Sequence, residues 1–116
     1  MERLIDCVIL PAGPADAEAL ARVHIRTWRE TYAGLLPVPY LAAMNARVHA
    51  RRFRLQLVRA HPGEVMLAAE GANGLVGYCA GALRGGEAEI FTLYLLKGTQ
   101  HVGLGRRLFV ATARVR

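Results

Sequence analysis

The run Gln100-His101-Val102-Gly103-Leu104-Gly105 carries the clearest chemical signal in this sequence. It stands between an apolar, strand-like stretch, residues 89–96, and the basic start of a helix, Arg106-Arg107-Leu108-Phe109. A strand that feeds a glycine-bearing loop and then a helix makes an anion site, because the first helical N–H groups have no partner inside the helix. The helix dipole adds partial positive charge at the same end, so phosphate binds there readily. Gly103 and Gly105 allow a ligand to approach the backbone closely and allow positive φ. The spacing is not the dinucleotide-binding G-x-G-x-x-G, and no Walker lysine follows. Other side chains offer less. His49, His61 and His101 share no ligand spacing, so no metal is expected. His24 falls on the core-facing side of a helix, where a hydrogen-bonded packing role is expected. Cys79 has no histidine arguably paired with it, which argues against a nucleophile.

The elements that would position these residues follow from patterning. Residues 8–10 read as a short strand ended by Pro11. Gly13-Pro14-Ala15-Asp16 then starts a helix, with Pro14 suited to the first turn and Asp16 to the positive end. Leu20, Val23, Thr27, Trp28 and Thr31 recur at helical spacing and predict one buried stripe. Gly34 is a natural stop. A second helical region is predicted over 40–60, interrupted near Asn45, after Pro37 and Pro39 break the path. From His61-Pro62-Gly63 onward the pattern turns to strands at 65–70, 75–83 and 88–96. Asn73-Gly74 favours a hairpin turn between the first two, and Gly85-Gly86 marks the next. Gly77 and Gly81 inside a strand imply close packing or a bulge. The last helix is predicted from about Gly103 through Val115. The sum is an α+β sandwich, a mainly antiparallel sheet with helices on both faces.

Composition bounds the rest. The 116 residues allow one domain, spanning 1–116, with a modest core. Hydrophobic residues make up 53%, which excludes a disordered tail, and no apolar run approaches a membrane span. There is no signal-peptide pattern, and Cys7 and Cys79 are too few for a disulfide scaffold. A reduced, cytoplasmic protein is expected. The net charge of +6 calls for an anionic partner. The arginines are scattered, however, and no nucleic-acid-binding motif is present. A small polyanion uses the charge equally well.

Gln100-x-x-Gly103-x-Gly105 matches Q/R-x-x-G-x-G/A, and the sequence resembles the GNAT superfamily of N-acetyltransferases, whose acyl-CoA pyrophosphate loop has that pattern. Residues 89–108 are similar to the fourth strand, loop and third helix of that fold. Val76-Gly77-Tyr78-Cys79-Ala80-Gly81 looks like its third strand, and residues 27–34 look like the end of its first helix. The likeness runs over roughly residues 5–115. It implies acetyl-CoA as acyl donor and a small-molecule or peptide amine as acceptor, with no membrane or nucleic-acid partner. A complete family domain continues past this helix with a fifth strand, a fourth helix and two more strands, and the tyrosine that protonates the leaving thiolate belongs to that fourth helix.

By the resemblance, backbone N–H groups of His101, Val102, Gly103, Leu104, Gly105 and Arg106 cradle the pyrophosphate, with Gln100 shaping the loop entry. Main-chain groups of Leu93, Tyr94 and Leu95 lie at the pantetheine. Glu89 is the candidate general base, at a strand position where several members aim a carboxylate at the amine; burial under an apolar sheet would raise such a group towards neutrality. A solvated strand start at Glu87 and Glu89 is the competing reading. Trp28, Tyr32 and Tyr40 either line the acceptor pocket or serve as core and cap residues. Two rivals to the enzyme remain: a non-catalytic CoA-binding or interaction module, and a small basic nucleic-acid-binding protein. A chain ending at Arg116 is further expected to leave the 88–96 strand as an open edge and to expose Leu108, Phe109 and Val115. Both features predict a two-fold dimer.

Overall fold

The structure, a computed structural model, describes residues 7–59, 63–84, 87–96 and 104–114. Strand β1 (Val8–Pro11) leads through a 3-10 turn (Pro14–Asp16) into α1 (Ala17–Tyr32). Gly13 N–H donates to Asp16 Oδ2 at 2.8 Å, which satisfies a donor that the helix cannot. Helix α1 stops at Gly34, whose φ of 84° suits a residue without a Cβ. The second helical region forms two pieces, α2 (Val38–Ala42) and α3 (Ala46–Val58). Asn45 causes the break: its side chain caps α3 by accepting from Arg47 N–H at 2.8 Å and Val48 N–H at 3.3 Å. Pro37 and Pro39 open α2 rather than ending a path, because proline fits a first helical turn.

Strands β2 (Glu64–Gly71), β3 (Gly74–Arg84) and β4 (Glu87–Leu95) form an antiparallel meander that β1 joins, in the order β1-β2-β3-β4. The β2–β3 turn is centred on Ala72 and Asn73, not on the Asn-Gly pair; Gly74 takes the positive φ of 119° just after it. Helix α4 (Leu104–Arg114) completes the described chain.

Each face of the sheet carries its own core. On one face α1 and α3 bury Leu20, Ala21, Val23 and Phe53 against Met66, Ala68, Tyr78 and Ala80. On the other, Leu108 of α4 lies on Leu67, Ala69 and Cys79. Cross-strand alternation explains the split, since neighbouring residues of a strand point to opposite faces. Two predicted details change. Thr31 is exposed, outside the stripe that buries Leu20, Val23 and Thr27. Leu108 is fully buried, not exposed. The helix is amphipathic, and its i, i+4 partner Thr112 also turns inward, bonding back to the Leu108 carbonyl at 2.8 Å. Phe109 does stay 46% exposed, and Val115 lies outside the described residues.

Candidate functional site

His24 and Trp28 stand one turn apart on α1, so both project from the same helix face. That face meets Tyr78 and Tyr94, which the β3–β4 register sets directly opposite one another. The heads of these side chains satisfy each other. His24 Nδ1 lies 3.0 Å from the Tyr78 hydroxyl, and Trp28 Nε1 donates to the Tyr94 hydroxyl at 3.1 Å. From α3, His49 brings its ring to 4.7 Å from that of His24, and Phe53 packs edge-on against Tyr78 at 5.4 Å. Two cavities open over this cluster. One, about 530 Å³, is lined by Trp28, Tyr40, Met44 and Val48 as well as His24, His49 and Arg52. A second, about 250 Å³, shares those last three residues and reaches down to Tyr78, Ala80 and Thr92.

Arg29 fixes the outer wall of the larger cavity. Its guanidinium donates to the carbonyls of Leu41 at 3.0 Å, Ala42 at 3.4 Å and Met44 at 3.5 Å. Those carbonyls sit at and just beyond the end of α2, where helical acceptors have lone pairs left over; that of Leu41 also accepts from Met44 N–H at 3.3 Å. A cation there also complements the dipole.

The electrostatics favour neutral rings. Burial, helped by the neighbouring His49, lowers the His24 pKa to about 4. Burial and then the Arg52 charge lower His49 as well. Burial pushes the Tyr78 phenol well above its usual range, so it keeps its proton. In the tautomer that leaves Nδ1 bare, a neutral His24 accepts that proton as a hydrogen bond.

The residues singled out in the sequence are distributed as follows. Trp28 and Tyr40 line the larger cavity, and Tyr32 stacks behind Trp28 at 4.7 Å between ring centroids. Glu89 is exposed rather than buried beneath the sheet. It pairs in register with Ala82, one same-face position beyond Ala80 and Thr92 on the cavity floor. Leu93, Tyr94 and Leu95 divide by face: Tyr94 packs on the α1 side, Leu95 on the α4 side, and Leu93 is 39% exposed. Between Thr92 and Ile90 the register slips by one, which makes Phe91 the extra residue of a bulge. Gln100, His101, Val102 and Gly103 lie outside the described residues, as does His61. Leu104, Gly105 and Arg106 form the first turn of α4. Arg107 reaches back to the Cys7 carbonyl at 3.3 Å. Cys79 is buried, its thiol pKa raised by that burial, as befits a packing residue.

Sequence reasoning gave His24 a hydrogen-bonded packing role, which its bond to Tyr78 matches, but did not place His24, His49 and Arg52 in one cleft. The signal was present as spacing: His24 with Trp28 at i, i+4, and His49 with Arg52 and Phe53 at i, i+3 and i, i+4. It lacked the crossing of two helices that superposes the two faces.

No family model matches the chain. Its architecture is nonetheless the fold of the GNAT N-acetyltransferases, as its likeness to solved structures shows. The PaiA N-acetyltransferase of Thermoplasma acidophilum, solved with coenzyme A, superposes with a TM-score of 0.75 at 23% identity, over 90% of this chain and 68% of that one. An acetyltransferase from Thermus thermophilus gives 0.68 at 22% identity, over 95% and 69%. Among curated proteins, an uncharacterized N-acetyltransferase of Bacillus subtilis (strain 168), YuaI, is 27% identical over 103 residues. That match takes in 84% of this chain, which spans 57% of the length of YuaI.

Proposed function

We propose that the protein is an acetyl-CoA-dependent N-acetyltransferase, acting in the cytoplasm on a small-molecule or peptide amine by direct attack. One observation carries the reading: β4 lies between α4 and the aromatic cleft. Its end leads towards α4, whose first-turn N–H groups suit a pyrophosphate. Its inner face, at Thr92, floors the aromatic and imidazole cleft. The PaiA structure holds coenzyme A in the same fold. In this reading residues 101–106 hold the pyrophosphate, and main-chain groups of Leu93, Tyr94 and Leu95 hold the pantetheine. Trp28, Tyr32 and Tyr40 bound the acceptor.

The amine nitrogen attacks the thioester carbonyl carbon. The C–N bond forms, the C–S bond breaks, and the thiolate leaves and is protonated. The amine loses its proton to Glu89, acting through water because it stands one strand step outside the cleft. His49, which lines both cavities, is the competing base. The test is thiol release from acetyl-CoA over an amine panel, with calorimetry for CoA binding. Glu89→Gln is expected to lower kcat by about 10²–10⁴-fold, and His49→Gln to leave it within a few-fold; the reverse pattern moves the role to His49. CoA binding without thiol release from any amine would mark a binding module instead. No CoA binding would end the proposal.

A further inference from the structure

The cleft over His24 holds a cation without a carboxylate. Arg52 borders both cavities, and neither is lined by Asp or Glu. Among the described residues no carboxylate pairs with the exposed Arg52, whereas three other arginines are engaged. Arg26 pairs with Glu30 at 3.2 Å, Arg29 is spent on three carbonyls, and Arg107 on a fourth. Three polar heads of the cleft are satisfied internally: the Trp28 indole by Tyr94, the Tyr78 hydroxyl by His24, and the Asn45 side chain by α3. The nearest carboxylates of that sheet face, Glu64 and Glu89, both stand opposite Ala82. That is one same-face step, roughly 7 Å, past the floor at Ala80.

Taking the acetyltransferase reading as its basis, we infer that the acceptor is an amine that also bears a carboxylate, an amino acid in chemical class, and that Arg52 receives that carboxylate. A guanidinium presents parallel N–H groups that match a carboxylate in two bonds. Trp28 and Tyr40, with Met44 and Val48, supply an apolar wall for a side chain. A polycationic acceptor meets the opposite situation: each further positive charge enters beside Arg52 with no lining carboxylate to pair it. The same arrangement helps the chemistry. A positive neighbour disfavours the ammonium form of the bound amine, and only the neutral amine attacks a thioester.

Trp28 is the only tryptophan of the chain, so its fluorescence reports occupancy of this cleft without any turnover. The experiment titrates the whole chain with leucine, with 3-methylbutylamine, which is leucine without its carboxylate, and with spermidine. Calorimetry runs in parallel, and sodium acetate controls for non-specific anion effects. Leucine is expected to bind about tenfold more tightly than either amine, and Arg52→Gln to erase that difference. Equal or tighter binding of 3-methylbutylamine or spermidine overturns the inference. So does leucine binding that survives Arg52→Gln, or leucine giving neither a fluorescence change nor heat. Thiol release is scored separately. Arg52-dependent leucine binding with no acetylation of any amine would remove the acetyltransferase reading and leave the ligand assignment standing. Acetylation of 3-methylbutylamine in preference to leucine would do the reverse.

Discussion

His24 illustrates how a single ring couples stability to acidity. Its folded pKa of about 4 lies below the ordinary value of 6.5, chiefly through burial and then through His49. Above pH 6.5 the ring is neutral in both folded and unfolded chains and costs nothing. As pH falls below 6.5 the unfolded chain takes up the proton first, so stability declines until about pH 4, where the folded ring protonates too. His49, lowered in the same direction, adds to that decline. Urea midpoints measured from pH 7 to 4 are expected to fall more steeply for the wild type than for His24→Gln. NMR titration of the ring checks the cause, and a His24 pKa at 6.5 would refute it. At this scale the sequence was only partly legible. Trp28 and Tyr40 could be named as candidate pocket residues from the family resemblance, at the end of the first helix and in the segment that follows it. His24 could be placed on the inward face but not in a cleft, because the Tyr78 hydroxyl that engages it arrives from 54 positions away.

At the level of the elements, Gly77 and Gly81 show why β3 tolerates residues that weaken strands. A Cβ on Gly77 would run into Leu95 Cδ2 and come within 2.6 Å of the Tyr94 carbonyl oxygen. On Gly81 it would meet the Glu89 carbonyl oxygen and approach Ile90 Cδ1 at 3.3 Å. Both obstacles include backbone, which cannot rotate away as a side chain can. Gly77→Val is therefore expected to destabilise the fold by about 1–3 kcal/mol, read as a lower urea midpoint at unchanged m-value. An unchanged midpoint would mean that β4 moves aside freely. Element types were well encoded. Binary patterning and turn residues predicted every strand to within a residue or so and foresaw the break near Asn45. The bulge at Phe91 depends on a partner strand that periodicity does not contain.

For the molecule as a whole, β4 forms one end of the sheet order, with no further strand beside it among the described residues. Leu93 and Phe109, 39% and 46% exposed, lie on β4 and the helix that follows it. Open edges of this kind recruit strands from other chains. The 116-residue chain is accordingly expected to self-associate, most simply as a two-fold dimer across β4. Light scattering at micromolar concentration decides it, and a monodisperse monomer would contradict the expectation. The opposite end of the sheet has another consequence, one that unfolds in time. Strand β1 is made before β2, its one strand neighbour among the described residues, with α1, α2 and α3 translated in between. At about 5–20 residues per second, β1 waits several seconds at the ribosome with Val8 and Leu10 unpaired. Its pairing closes a long loop around three helices, whereas β2, β3 and β4 zip through short turns. A nascent chain arrested before residue 64 should thus hold helices without a sheet and be a natural client for a holding chaperone.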